Sequence, residues 1–271
     1  MHILFDIGKT KMRIAGSQDL ASFGDPKIFD TPKDYDEFIR IFVDAAREIA
    51  GGKRIESLSG GVGSKLSSDK TEILIDELNF SEWRNGSIVR DISHNMEAPT
   101  FLENDAALAA LGEAAYGAGR SSRIVAYITV STGVGGARVV DGKIDANAQG
   151  FEPGRQVLSL LETKYATEYL SGVAVESATG KEPAHILDED FWDEKAKTLA
   201  VFLNNIIVLW SPHVVVLGGS MMNEVGIPIP ATAEYLRKIC KIFPELPPLK
   251  HSELGDLGGL WGALELLRQD V

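Results

Sequence analysis

A chain of 271 residues can bury its core in one large domain or in two of ordinary size. Its 44% hydrophobic and 24% charged residues are those of a soluble globular protein, and a net charge of −12 excludes a general nucleic-acid surface while leaving room for a few local donors to an anionic nucleotide. The single cysteine, Cys240, cannot close an intrachain disulfide, no apolar run approaches the roughly 20 residues of a membrane span, and Met1-His2-Ile3-Leu4-Phe5 enters a strand with no signal peptide, so a cytoplasmic protein without membrane or nucleic-acid partners is expected.

Residues 2–8 read as a buried strand, and Lys11 to Gly16 as a second one joined to it by a tight turn. The turn admits two readings. In one, Gly8 lets a phosphate approach the backbone, Thr10 adds a hydroxyl, and Asp6 holds Mg²⁺ through water. In the other, it is an ordinary hairpin. Residues 33–50 form an amphipathic helix with Tyr35, Phe38, Ile39, Phe42, Ala45, Ala46 and Ile49 on one face, stopped by Gly51-Gly52. Residues 55–63 read as a strand ending in a glycine-rich turn at Gly63. Ser64 to Asp69 continue as a polar loop, a common place for a small ligand and equally a plain connection. Residues 81–95 are readable as a second helix.

Asn104-Asp105 stand where a short apolar approach gives way to an Ala/Leu-rich helix, Ala106 to Tyr116. Locally, Asp105 reads as a helix cap. Residues 123–130 form an apolar strand, Ser131 to Gly136 a Thr/Gly turn, and Ala137 to Val140 the next strand, ending in Asp141-Gly142. This strand, turn and strand echo Asp6 to Gly16. Two such phosphate-clamp hairpins suggest a divided duplication. Residues 145–155 are a polar loop carrying Glu152 and Arg155, residues 157–171 read as helical, and 191–210 as a long helix closed by Ser211-Pro212. Val214 to Leu217 is a buried strand followed by Gly218-Gly219. Those glycines either admit a flat apolar ring or make a tight strand–helix turn. Leu254 to Leu267 is a glycine-containing closing helix.

Asp6-Ile-Gly-Lys-Thr-Lys, Glu103-Asn-Asp-Ala, Gly112-Glu, Gly117-Ala-Gly, Ser131-Thr-Gly-Val-Gly-Gly, Ser171-Gly, Val216-Leu-Gly-Gly and Gly258-Gly-Leu-Trp-Gly-Ala occur in this order. Together they resemble the ROK family of sugar kinases, within the actin/hexokinase-like ATPases. The resemblance implies an α/β, two-domain actin-like ATPase (ribonuclease-H-like) fold with a cleft between domains, residues 1–115 and 116–256, and a closing helix at about 257–271 packed back on the first. It implies ATP and Mg²⁺ as cofactors, a hexose-type sugar as substrate, and a homodimer. By the same resemblance Asp105 is the general base and Asn104 hydrogen-bonds the sugar. Glu152 and Arg155 fall on the family's sugar element, and Gly63 is a further candidate for contact with the sugar. Gly8, Lys9, Thr10, Lys11, Thr132, Gly133, Gly135 and Gly136 cradle phosphates, and Gly218-Gly219 border the adenine. An unperturbed Asp has a pKa of about 3.9, so a carboxylate at 105 is charged and able to accept a proton at neutral pH.

Three departures stand out. The family's Gly-Glu-x-Gly-His reads Phe151-Glu-Pro-Gly-Arg, so Arg155 replaces a zinc- and sugar-binding His. The family's cysteine-rich zinc loop is missing, with no Cys or His between His94 and His185, so no structural zinc is expected. The shortened loop is expected to be held by packing of Leu158, Leu160 and Leu161. The family's second sugar-binding Glu aligns with Thr167, one place from Glu168. Lys9 stands where Gly is usual. The rival reading, motivated by these changes, is a sugar-sensing protein on the same fold with weak catalysis.

Overall fold

The computed structural model describes residues 1–74, 80, 83, 86–159 and 161–270. The chain divides into two compact units: Met1–Ala115 with Ala146–Gly150 and Asp256–Val271, and Tyr116–Asp145 with Phe151–Gly255.

The first unit opens with β1 (His2–Ile7) and β2 (Lys11–Ser17), an antiparallel hairpin in which Asp6 lies opposite Arg13. Next come β3 (Lys27–Asp30) and α1 (Tyr35–Ala50). Asp34 caps α1 by accepting a hydrogen bond from the Glu37 amide at 2.8 Å, and Gly51 ends it with a left-handed φ of 58°. Then follow β4 (Ser57–Val62), the short hairpin β5 (Lys65–Leu66) and β6 (Ile73–Leu74), α2 (Ile88–Met96), β7 (Thr100–Asn104) and α3 (Asp105–Ala115). The sheet order is β3-β2-β1-β4-β7, with β4 parallel to both β1 and β7. Its core stacks Phe38 on Trp83 at 4.3 Å between ring centres and sets Phe5 edge-on to Phe42 at 5.2 Å.

The second unit contains β8 (Ile124–Val130), β9 (Val134–Val140), β10 (Lys143–Ile144), β11 (Val157–Ser159), β12 (Lys164–Tyr165), α4 (Thr167–Leu170), α5 (Gly172–Thr179), α6 (Glu189–Trp210), β13 (Val214–Gly218), α7 (Ile229–Ile239) and β14 (Leu249–His251). Its sheet order is β10-β9-β8-β13-β14, with β13 parallel to both β8 and β14. The two sheets therefore share one topology: an antiparallel hairpin whose first strand carries two successive parallel strands on its other edge. The repeat that the two Thr/Gly hairpins suggested extends to the whole sheet. The last helix, α8 (Gly258–Asp270), belongs to the first unit and packs on α3.

Several local expectations change. Residues 157–171 are not one helix: β11 and β12 form a small antiparallel hairpin, Thr163 turns with a positive φ of 51°, and only Thr167–Leu170 is helical. Val157 and the neighbouring Leu158 prefer the extended pair, and charged Glu162 and Lys164 join across the turn at 2.7 Å. Leu158 packs on the core of the second unit, whereas Leu161 is 99% exposed and packs nothing. Leu160 lies outside the described residues, as do residues 81, 82, 84 and 85 of the expected second helix, which is helical over Ile88–Met96. β9 begins at Val134, so Gly135 and Gly136 are strand residues opposite Thr129 and Ile128 rather than turn residues. A side chain on Gly136 would meet the Tyr127 carbonyl at 2.4 Å, which is why glycines could be read as a turn where a strand passes closely. β3, α7 and β14 carried no sequence assignment. No described helix is long and apolar enough to cross a membrane.

Candidate active site

In the first unit the sequence pair Asn104-Asp105 sits at the junction of β7 and α3. Asn104, not Asp105, is the side-chain cap: its Oδ1 accepts the Ala107 amide at 3.2 Å, three residues on. Its Nδ2 donates to the Ser64 carbonyl at 3.3 Å. Asp105 is the first helical residue, and its Oδ1 accepts the amide of Ala106 at 2.8 Å. Its Oδ2 leans over Gly63, where a Cβ would stand 3.1 Å from it. Gly61 is equally constrained, since a Cβ there would lie 3.0 Å from Asp105 Cα. The glycines of the β4 turn thus leave the space that the carboxylate occupies.

Asp6, at the end of β1, is half-buried. Its Oδ2 is 3.7 Å from Nη1 of Arg13, whose Nη2 bonds Asp256 at 2.7 Å. Gly259, in the first turn of α8, lets the Asp6 carboxylate lie against the helix: a Cβ there would be 3.1 Å from Asp6 Cγ. Burial, and then the charge of Asp105, push the Asp6 pKa from 3.8 to about 7; Arg13 opposes this and Asp256 adds to it. A carboxylate oxygen of this kind suits a hard cation that keeps most of its water. Among the described residues no group of three or more His, Cys, Asp or Glu is arranged to hold a metal ion. One carboxylate together with a nucleotide's phosphates is the donor set that Mg²⁺ commonly uses.

The turn after Asp6 is closed on itself. The Gly8 amide donates to the Lys11 carbonyl at 2.9 Å, and Thr31 donates its hydroxyl to the Gly8 carbonyl at 2.7 Å. Lys11 pairs with Asp30 at 2.5 Å on the surface. The amides of Lys9 and Thr10 have no partner among the described residues, and both residues are exposed. The β8–β9 turn of the second unit is also closed on itself, by a tighter bond. The Ser131 amide donates to the Gly133 carbonyl at 2.8 Å, leaving Thr132 and Gly133 exposed with amides that have no partner among the described residues. Each hairpin therefore offers two successive N–H groups and a threonine hydroxyl, the concave donor arrangement that binds phosphate.

Also in the second unit, Glu152 precedes a 3-10 turn, Pro153–Arg155, held against β9. A Cβ on Gly154 would stand 2.1 Å from the Val134 carbonyl. The Arg155 guanidinium lies 5.7 Å from the centre of the Tyr165 ring, and the Tyr165 amide donates to Glu168 Oε2 at 2.7 Å. Arg155 and Glu168 are thus gathered around Tyr165, which the sequence reading did not single out. Thr167 approaches the phosphate-type hairpin: its hydroxyl would be 3.9 Å from a Cβ on Gly133. At the end of β13, a side chain on Gly218 would meet the Tyr127 hydroxyl at 2.6 Å, and one on Gly219, at φ 89°, the Val130 carbonyl at 2.4 Å. Close packing within the chain already requires both glycines. Beyond them an open cleft of about 530 Å³ is bordered by Met222, Ile227, Ile229, Pro230 and His251.

Three residues of the first unit were given no role in the sequence reading. Arg13 stands opposite Asp6 in the hairpin register, which counting outward from a two-residue turn at Lys9-Thr10 would have found. Glu103, buried beside Asn104, is paired with Lys70 of the β5–β6 turn. A glutamate inside an apolar strand signals a buried partner, but no local pattern identifies Lys70.

Compared with known proteins, the chain matches the ROK family over residues 3–154 and 168–270, and it belongs to that family. The match is interrupted over 155–167, where Arg155 and the β11–β12 hairpin lie. An uncharacterised protein of Clostridium perfringens is 32% identical over 54% of this chain and 56% of its own length, so the chain spans about half of that relative. The N-acetyl-D-glucosamine kinase of Haemophilus influenzae is 27% identical over 98% of this chain and 99% of that one. The crystal structure of the ROK hexokinase from Thermus thermophilus aligns with a TM-score of 0.82 at 25% identity, covering 99% of both chains. The fold is that of the actin-like ATPases.

Proposed function

We propose that this ROK-family sugar kinase transfers the γ-phosphoryl group of ATP to a hydroxyl of a hexose or hexose derivative, with Asp105 as the general base. The observation that carries the reading is the seat of Asp105. One carboxylate oxygen is fixed by the Ala106 amide and the other lies over Gly63, a residue without a side chain. In this reading the carboxylate accepts the proton of the attacking hydroxyl, a contribution of about 10²–10⁴-fold for a positioned base. Asn104 orients the sugar through the second N–H of Nδ2, the first being donated to the Ser64 carbonyl, and Glu152, Arg155 and Glu168 supply further hydroxyl contacts. The amides of Lys9 and Thr10 and of Thr132 and Gly133 hold phosphate oxygens, and Gly218-Gly219 border the adenine. Asp6 holds Mg²⁺ through water; the ion, when bound, offsets phosphate charge. The similarity to an N-acetyl-D-glucosamine kinase along nearly the whole length supports a hexose-type substrate.

The β11–β12 hairpin takes the place of a zinc loop, and we read it as metal-free, held by Leu158 and by the Tyr165–Glu168 bond. Elemental analysis is expected to find no tightly held zinc; one zinc per chain would contradict this. A homodimer is likewise part of the proposal, and sedimentation would read it directly.

The test of function is ADP release with MgATP across hexoses, amino-hexoses and N-acetyl-hexosamines. Turnover on one of them is the expected result. The replaced His and the interrupted family match at 155–167 favour one rival, a sugar sensor. Saturable sugar binding with no turnover on any member would establish that rival instead.

A further inference from the structure

Glu103 is 6% exposed, and nothing in the proposed reaction uses it. A carboxylate so deeply placed requires a partner, because an unpaired buried charge is far more costly than an unpaired surface one. It has two. Oε2 meets Nζ of Lys70, and Oε1 accepts the Asn104 amide at 2.9 Å. The second bond fixes the peptide from which Asn104 and then Asp105 project.

Lys70 is presented by a turn that bonds mainly to itself. The Ser67 amide donates to the Glu72 carbonyl at 2.9 Å and the Lys70 amide to the Ser67 carbonyl at 2.8 Å. The Ser67 hydroxyl accepts the amides of Thr71 and Glu72 at 3.2 and 3.0 Å. Asp69 binds the hydroxyls of Ser67 and Thr71 at 2.6 and 2.9 Å. Lys70 itself has a φ of 58°, a left-handed conformation that is unfavourable for lysine and that the turn maintains. The same segment touches the Asn104-Asp105 pair at its other end, through Gly63 against Asp105 and the Ser64 carbonyl against Asn104.

We propose that Lys70 and Glu103 form a latch that holds the Asn104-Asp105 step in register with the Gly63–Ser64 turn. Lys70 is a positioning residue that acts through Glu103. The inference rests on the reading of Asp105 as base and Asn104 as sugar contact. Without Lys70 the buried carboxylate has no cation and turns towards water, and the Asn104 amide loses its acceptor. The surface half of the latch is a half-exposed lysine whose pairing alone would contribute little. Its importance comes from the buried half.

The test is a mutant cycle on the full chain. Lys70→Met is expected to lower kcat and raise the sugar KM, each by about 10-fold, since small displacements at a reacting centre cost that much or more. The KM for ATP is expected to stay within about twofold, and Lys70→Arg to recover most of the loss. Glu103→Gln keeps an oxygen for the Asn104 amide, so Lys70→Met/Glu103→Gln is expected to be better than Lys70→Met alone. Amide hydrogen exchange at residues 103–107 is the second readout, expected to accelerate in Lys70→Met. It needs no turnover, so it judges the latch even if the wild-type chain phosphorylates no sugar and the kinase reading fails. Exchange at wild-type rates in Lys70→Met, or sugar and ATP KM rising together, would overturn the latch. Should Lys70→Met not fold, Lys70→Gln in the Glu103→Gln background gives the same readouts.

Discussion

At Gly63 a single methyl group decides whether Asp105 can stay where it is. A Cβ there would stand 3.1 Å from Oδ2, closer than ordinary contact, and the carboxylate must give way. Gly63→Ala is therefore expected to lower kcat by about 10-fold or more while leaving the melting temperature near that of the wild type, which steady-state kinetics and calorimetry check. Asp6 makes a different prediction. Its pKa, raised from 3.8 to about 7 by burial and by Asp105, means that the folded chain holds this proton more tightly than the unfolded chain. The stability it contributes is full below about pH 4 and is lost as pH rises through about 7. Without magnesium, Asp6→Asn is expected to stabilise the chain by up to a few kcal/mol at pH 8 and not at pH 4, read from denaturant unfolding at both. A difference that does not change with pH would contradict it. Asp105, Asn104 and Asp6 were legible as candidates, because short polar residues among glycines at strand ends are conspicuous, but locally they read as a cap and a hairpin turn and only the family resemblance assigned them roles. Their environment was not legible. Arg13, Asp256 and Gly259 reach Asp6 from a neighbouring strand, a distant turn and the last helix, and only the fold joins them.

Among the elements, α3 shows how a cap and a proposed base are divided between neighbours. Asn104 bonds the Ala107 amide, and Asp105 occupies the first turn, where a negative charge is favoured by the helix dipole. Asn104→Asp keeps the capping oxygen and is expected to retain the melting temperature while raising the sugar KM. Asn104→Ala is expected to lose both, with a stability cost of about 1 kcal/mol. α3 meets α8 at backbone distance. A Cβ on Gly112 would lie 2.4 Å from the Gly258 carbonyl, and one on Gly262 1.8 Å from that of Leu108. Gly112→Ala is expected to destabilise by about 3 kcal/mol, measured by urea unfolding, because backbone rather than a flexible side chain must move. The glycines of these two helices announced close packing in the sequence, though not the partner. Residues 157–171 show the opposite limit. Their apolar spacing fits a helix, but Thr163 turns the chain back and β11 pairs with β12, a choice made by pairing and packing rather than by local preference.

Across the whole molecule, both units repeat one sheet topology, β3-β2-β1-β4-β7 and β10-β9-β8-β13-β14. Two Thr/Gly hairpins were enough to suggest that repeat from sequence, because a turn that must expose backbone amides restricts its residues more than a packed strand does. The outer strands β3 and β14 and helix α7 carry no such restriction and were missed. The final helix, α8, joins the first unit although the second unit precedes it in sequence, so the unit that carries Asp105 is completed only by the chain's end. The same unit holds the carboxylate on which the proposed reaction depends. The most direct test is MgATP-dependent ADP release on the best sugar of the panel, comparing the wild type with Asp105→Asn. The account predicts a fall of about 10²–10⁴-fold in kcat with sugar binding and melting temperature retained; turnover within a few-fold of the wild type would contradict it.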